Sequence, residues 1–228
     1  MHTALIQPPV IAMSLWLNAH RAGEISQTDA ANACEVISEA LNLQSGSTST
    51  SWAAVVSQAA ASASPCVAVV PTFGDPAGVP AKMLPSIATT RGVIGIGPDF
   101  LLYQDTSSTW QLHEVPHTIT PPDQPYLRRQ FLEGLERAVR TLGAADFMGD
   151  RNTIDDMLKD SAFAVMPPGT SERVLTQLDQ ATRVRIVAQV AMTESLAPAS
   201  RSTDNLRLAT LQEIDRLAID LISALASQ

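Results

Sequence analysis

The sequence predicts an α+β fold: a small mainly antiparallel sheet flanked by N-terminal helices and a C-terminal helical hairpin layer. Three observations lead there. Apolar residues recur at helical spacing up to Ala63. Four short runs then follow, "CVAVVPT", "GVIGIG", "FLLYQD" and "TWQLHEV", rich in β-branched or aromatic residues and separated by Gly, Pro, Asp and Ser. After "HTITPPDQPY" the helical spacing returns and persists to the C-terminus.

Taken in order, Pro8 and Pro9 suit the first turn of a helix over Val10 to His20. Ser26 or Thr28 can cap a second over Asp29 to Leu41, whose stripe is Ala30, Ala33, Ile37, Ala40 and Leu41. "NLQSGSTSTS" reads as a polar loop, and Trp52, Val55, Val56, Ala59, Ala60 and Ala63 mark a third helix. The close spacing of the later runs favours antiparallel hairpins over crossover units, and "PSIATTRG" adds a strand or a short helix ahead of those later runs. Leu127, Phe131, Leu135, Ala138, Val139 and Leu142 define the apolar face of the next helix. On its other face Glu133 and Glu136 precede Arg137 and Arg140 by four residues, a spacing that predicts two ion pairs. A hairpin of helices over 171–194 and 203–226 closes the chain, with Pro198 as the break, Ser202 or Thr203 as the cap, and "VRIVAQVAM" apolar nearly all round and therefore buried.

Composition bounds the function. Fifteen basic against 23 acidic residues give a net charge of -8, which opposes a phosphate backbone, so nucleic acid is not expected as a partner. No stretch approaches the ~18 apolar residues of a membrane span, and the N-terminal apolar patch, broken by Gln7, Pro8 and Pro9, lacks the marks of a signal peptide; no membrane partner is expected. The only cysteines, Cys34 and Cys66, do not make a disulfide framework, and a reducing cytoplasm fits them. The chain reads as a single domain over 1–228, with a subdivision into 1–118 and 119–228 as the alternative.

Four motifs bear on chemistry. "HEVPH", His113 to His117, matches the H-E-x-x-H zinc pattern, but Pro116 would sit inside the helix that must present both histidines to the metal, so a strand end leading into a loop is the better reading and no metal or cofactor is expected. "GVIGIG" places Gly92, Gly95 and Gly97 in the wrong order for a dinucleotide fingerprint, and Pro98 follows where a helix would start; bends or close approaches in the sheet account for them. In "FGDPAGVP", Asp75-Pro76-Ala77-Gly78 fits a type I turn. The functional counterpart is a ligand site in which Gly74 and the amides around Gly78 receive a polar group beside Asp75. Adjacent Asp155 and Asp156 complement a helix start.

The segment "VVPTFGDPAGVP", the strand "STWQLHEVP" and the closing helical pair resemble a family of uncharacterised proteins from high-GC Gram-positive (actinobacterial) bacteria, which carry a "PGDPLGL"-like segment after an apolar strand. Phe73 and Val79 depart from that segment, where Pro and Leu would stand. The resemblance runs from Cys66 to the C-terminus and implies a shared fold without an activity.

Two readings of function follow. The first is a non-catalytic cytoplasmic protein acting through protein contacts, with self-association through the C-terminal helices because Leu211, Ile214, Leu217, Leu221 and Leu225 offer more apolar face than one partner helix covers. The alternative is a small-molecule binder or enzyme using the Gly74–Pro80 loop, with Gly74, Asp75 and Gly78 as its binding residues.

Overall fold

The computed structural model describes residues 8–39, 43–72, 74–87, 92–143, 166–194 and 201–228. Within them two compact units separate: a sheet unit from residues 8–122, 166–171 and 223–228, and a helical unit from residues 123–143, 172–194 and 201–222. The fold is α+β, with six helices and a six-stranded, mostly antiparallel sheet among the described residues. No helix among those residues is long and apolar enough to cross a membrane.

In the sheet unit, α1 (Pro9–Arg21) starts at its proline, whose missing amide would find no helical partner there. α2 (Gln27–Ser38) is capped by Ser26, which accepts from the Asp29 amide at 3.1 Å and donates to the Asp29 carboxylate at 2.7 Å. Thr28, the other cap the sequence offered, lies inside the helix. α2 ends at Glu39, which has a φ of 51°, and not at Leu41, which lies outside the described residues. α3 (Trp52–Ala61) is capped by Ser51.

All four expected strand runs form strands: β3 (Val67–Val69), β4 (Val93–Ile96), β5 (Phe100–Gln104) and β6 (Trp110–Glu114), paired antiparallel in sequence. The stretch read as a polar loop is instead a hairpin, β1 (Leu43–Ser45) and β2 (Thr48–Ser49), turned at Gly46 with a φ of 61°. β1 lies parallel to β6 with Leu43 opposite Trp110, giving the order β2-β1-β6-β5-β4-β3. It escapes notice because a three-residue strand held by backbone pairing to β2 on one side and β6 on the other needs no apolar run to mark it. In "PSIATTRG", Leu84–Ser86 is a single 3-10 turn and Ile87 bridges Asp105, while 88–91 lie outside the described residues.

Trp110, fully buried, packs edge-on against Trp52 with centroids 5.8 Å apart. A second apolar cluster joins Val79, Met83, Ile87, Val93, Leu101, Tyr103 and Val115. Between α1 and β3 sits a buried polar clamp. Asn18 accepts from the Cys66 amide at 2.8 Å and donates to the Cys66 and Ala226 carbonyls at 2.9 and 3.0 Å. The Ser14 hydroxyl lies 2.9 and 3.1 Å from the same two carbonyls.

The helical unit holds α4 (Gln124–Gly143), α5 (Glu172–Glu194) and most of α6 (Arg201–Ala226), whose last turn belongs to the sheet unit. Phe131 and Ala138 face inward as expected, but Val139, assigned to the same face, is 64% exposed. α4 approaches α6 at Gly134, where an added Cβ would run into the Leu217 side chain. Glu136 pairs with Arg140 at 2.6 Å as the spacing predicts, whereas Arg137 reaches across to Glu213 at 2.8 Å instead of pairing with Glu133.

In "VRIVAQVAM", Ile186, Ala188, Val190 and Ala191 are buried, but Val187 is exposed. Arg185 and Gln189 both donate to Asp215 Oδ1 at 3.2 Å, so the burial this segment achieves depends on a cross-helix ion pair as well as on apolar contact. Burial pushes Asp215 up and Arg185 down, each opposed by the other's charge. α6 already includes residue 201, so neither Ser202 nor Thr203 is its cap. Its stripe of Leu211, Ile214, Leu221, Ile222 and Leu225 is buried within the chain, leaving Leu206 and Leu208 exposed. Asp155 and Asp156 lie outside the described residues.

Candidate functional site

The Gly74–Pro80 loop begins with Thr72 and Asp75, whose backbones bond each other in both directions at 2.9 and 3.0 Å. The turn after it is closed by Val79 N donating to Pro76 O at 2.9 Å, and its central residues Ala77 and Gly78 have φ of 50° and 83°. Two left-handed residues in succession belong to a mirror-image turn of the type I′ kind, so the expected type I turn over Asp75–Gly78 is moved on by one residue and reversed in hand. Two constraints account for this. Asp75 Oδ1 accepts from the Ala77 amide at 3.1 Å, and Val79 must reach the apolar cluster, where it is 3% exposed.

Gly78 is required for a further reason. A Cβ there would lie 2.7 Å from the Thr118 carbonyl carbon and the Ile119 amide nitrogen, because the 117–119 segment crosses directly over it. That strap is held by Thr118 N donating to Gly78 O at 3.1 Å and His117 N to Pro98 O at 3.2 Å. The His117 ring also lies over Gly95, where a Cβ would come within 2.9 Å of Cε1. The glycine of "GVIGIG" is thus a close approach, as its sequence context suggests. At Gly74, with a φ of 85°, no atom of the described residues beyond its chain neighbours lies within 4 Å of an added Cβ.

The "HEVPH" residues do not lie on a helix. His113 and Glu114 finish β6, and Pro116 begins the strap. The Ile119 amide donates to His117 Nδ1 at 3.2 Å, so Nε2 carries the proton and donates to Phe100 O at 3.0 Å. Burial holds the His117 pKa below the usual histidine value, opposed by the Phe100 and Gly97 carbonyls and by Asp99. Among the described residues no three His, Cys, Asp or Glu side chains converge as metal ligands. Cys34 and Cys66 are buried thiols pushed up to about 12 by burial, with Cys66 raising Cys34 further and Arg21 opposing the shift at Cys66.

The structure thus gathers Gly74, Asp75 and Gly78 in one loop, but Asp75 engages the Ala77 amide and Gly78 the strap. A second place shows more open surface. On the helical unit two adjoining depressions, of about 400 and 410 Å³, share Arg128 and Arg173. The first adds Gln124, Arg129, Leu132, Glu133 and Glu136, and the second Glu172, Thr176 and Gln180. Arg128, Arg129 and Arg173 make no ion pair among the described residues, although Arg129 stands 5.5 Å from the Tyr126 ring centroid. In the sequence Arg128 and Arg129 stand in "YLRRQFLEGLERAVR", whose i to i+4 spacing signals ion pairs at Arg137 and Arg140 but does not mark Arg128 and Arg129 as unpaired.

Compared with known proteins, the chain matches no family model, no curated protein and no solved structure.

Proposed function

We propose that this chain works through protein contacts made by the exposed face of α4 in its helical unit. The observation that supports this reading is a pair of large apolar residues one heptad apart, Leu132 and Val139, which are 45% and 64% exposed among arginines and glutamates. Their sequence neighbours Phe131 and Ala138 are buried by the chain itself. Covering apolar surface gains about 25 cal/mol per Å², which α4 leaves to a partner. Self-association through the C-terminal helices belongs to the same reading and would use Leu206 and Leu208, since Leu211, Ile214, Leu221 and Leu225 are already buried and Leu217 is partly so. Membership of the actinobacterial family with the "PGDPLGL"-like segment is proposed on the residues quoted for it.

The alternative, a small-molecule site at Gly74–Pro80, has in its favour that no described residue beyond its chain neighbours crowds Gly74. It ranks second because its neighbouring polar groups already bond within the loop and to the strap. Site-specific photocrosslinking in the producing cells tests the first reading. A benzophenone side chain at position 132 or 139 is expected to yield discrete protein adducts that the same group at exposed Glu24 does not give. Identical patterns from all three positions would refute it.

A further inference from the structure

Resting on that reading, we infer that the helical unit docks an acidic, leucine-bearing segment of its partner in the trough formed by the two depressions that share Arg128 and Arg173. Three features of the trough select such a ligand. Its two lobes are open and adjoin one another, which suits an extended chain lying across them better than an enclosed metabolite. Three guanidiniums, Arg128, Arg129 and Arg173, line it without an ion pair among the described residues, and a guanidinium presents paired donors matched to a carboxylate. Leu132 lies in the lining at 45% exposure, an apolar anchor beside the charges.

Backbone charge adds to this. α4 and α5 start at the same end of the unit, where Gln124 Nε2 donates to Gln177 Oε1 at 3.3 Å, so the positive ends of both helices reinforce the arginines. Three carboxylates also line the trough. Glu136 is held by Arg140, which leaves Glu133 and Glu172. Those two, and the chain's net charge of -8, separate a peptide from a nucleic acid. A continuous phosphate backbone would meet both carboxylates, whereas a peptide can set its own carboxylates against the arginines and neutral residues elsewhere.

Fluorescence anisotropy on the full chain tests this with a fluorescein-labelled peptide of repeated Glu-Glu-Leu-Glu, its Lys-for-Glu counterpart, and a single-stranded thymidine oligonucleotide. The acidic peptide is expected to bind, to weaken as salt rises from about 50 to about 500 mM, and to lose at least about tenfold in affinity in Arg128→Glu/Arg173→Glu. That variant should in turn favour the lysine peptide, a gain that misfolding would not produce. No binding of the acidic peptide up to about 1 mM, equal binding by the variant, or tighter binding of the lysine peptide or the oligonucleotide to the natural chain would each overturn the inference. If the peptide fails while the crosslinks at 132 and 139 persist, the docking chemistry is wrong and the contact reading stands.

Discussion

Replacing Asn18 by alanine should be among the most damaging single changes in the sheet unit, and its cost follows from the clamp between α1, β3 and the chain's last turn. Asn18 is 3% exposed, and its amide group serves three backbone groups: the Cys66 N–H and the carbonyls of Cys66 and Ala226. In Asn18→Ala the Cys66 N–H loses its acceptor in a site water does not reach, which costs about 1–3 kcal/mol. Ser14 then has one proton for two carbonyls, and the one left over adds about 1 kcal/mol. The total is about 2–4 kcal/mol, a large part of the stability of a small unit.

Ser14→Ala should cost only about 0.5–1.5 kcal/mol, because the two protons on Asn18 Nδ2 still reach both carbonyls. The two side chains back each other up, so removing Ser14 should cost more once Asn18 is gone, by about 1 kcal/mol of coupling. Urea unfolding followed by tryptophan fluorescence is the suitable assay, since Trp16, Trp52 and Trp110 all lie in the sheet unit and report on it directly. An Asn18→Ala variant within about 0.5 kcal/mol of the natural chain, or one no worse than Ser14→Ala, would refute the reasoning.

The same assay separates two glycines: Gly74→Ala should cost about 1–2 kcal/mol for its left-handed backbone alone, and Gly78→Ala about 1–3 kcal/mol more for displacing the 117–119 strap. Asp75→Ala, which gives up the bond to the Ala77 amide, should cost about 0.5–2 kcal/mol; unchanged stability would instead favour a ligand role for Asp75. Because the folded pKa of His117 is held below its ordinary 6.5, the unfolded state takes up a proton first as pH falls. Stability should therefore be complete above 6.5, decline below it by at most about 1.4 kcal/mol per pH unit, and level off below the folded pKa. His117→Gln should remove that component of the slope. With both thiols pushed up to about 12 by burial, Cys34 and Cys66 should resist a disulfide reagent at mildly alkaline pH until urea exposes them; prompt labelling of the native chain would contradict their burial.

How much of this was legible in the sequence depends on whether the determining partner was local. The cap at Ser26, the proline start of α1 and the strand runs of β3 to β6 are set by residues within a few positions of one another, and each appears where the pattern places it. β1 does not show because its three residues owe their conformation to Trp110 to Leu112, remote in sequence, and "LQS" has no β-branched residue to advertise a strand. The hand of the loop turn was missed for the same reason. Asp-Pro-Ala-Gly is a good type I sequence in isolation, and what reverses it is the need to seat Val79 in the apolar cluster and to lay the 117–119 strap over Gly78.

The clamp and the trough take that argument one step further, since both depend on distant partners. Asn18 and Ser14 look like polar interruptions of an apolar helix, and their partners are backbone groups, which carry no sequence signature at residues 66 and 226. The arginines of α4 were readable as charges but not as unpaired ones. The i to i+4 rule correctly matched Arg140 to Glu136, yet it also matched Arg137 to Glu133, and the fold instead sends Arg137 across to Glu213. Once the arginines of the helical unit are sorted by their ion pairs, Arg128, Arg129 and Arg173, which make none among the described residues, fall together beside Leu132. The exposed face of α4 is therefore divided into a stretch whose arginines, Arg137 and Arg140, already hold carboxylates, and one around Arg128 and Arg129 where an incoming carboxylate breaks no ion pair among the described residues.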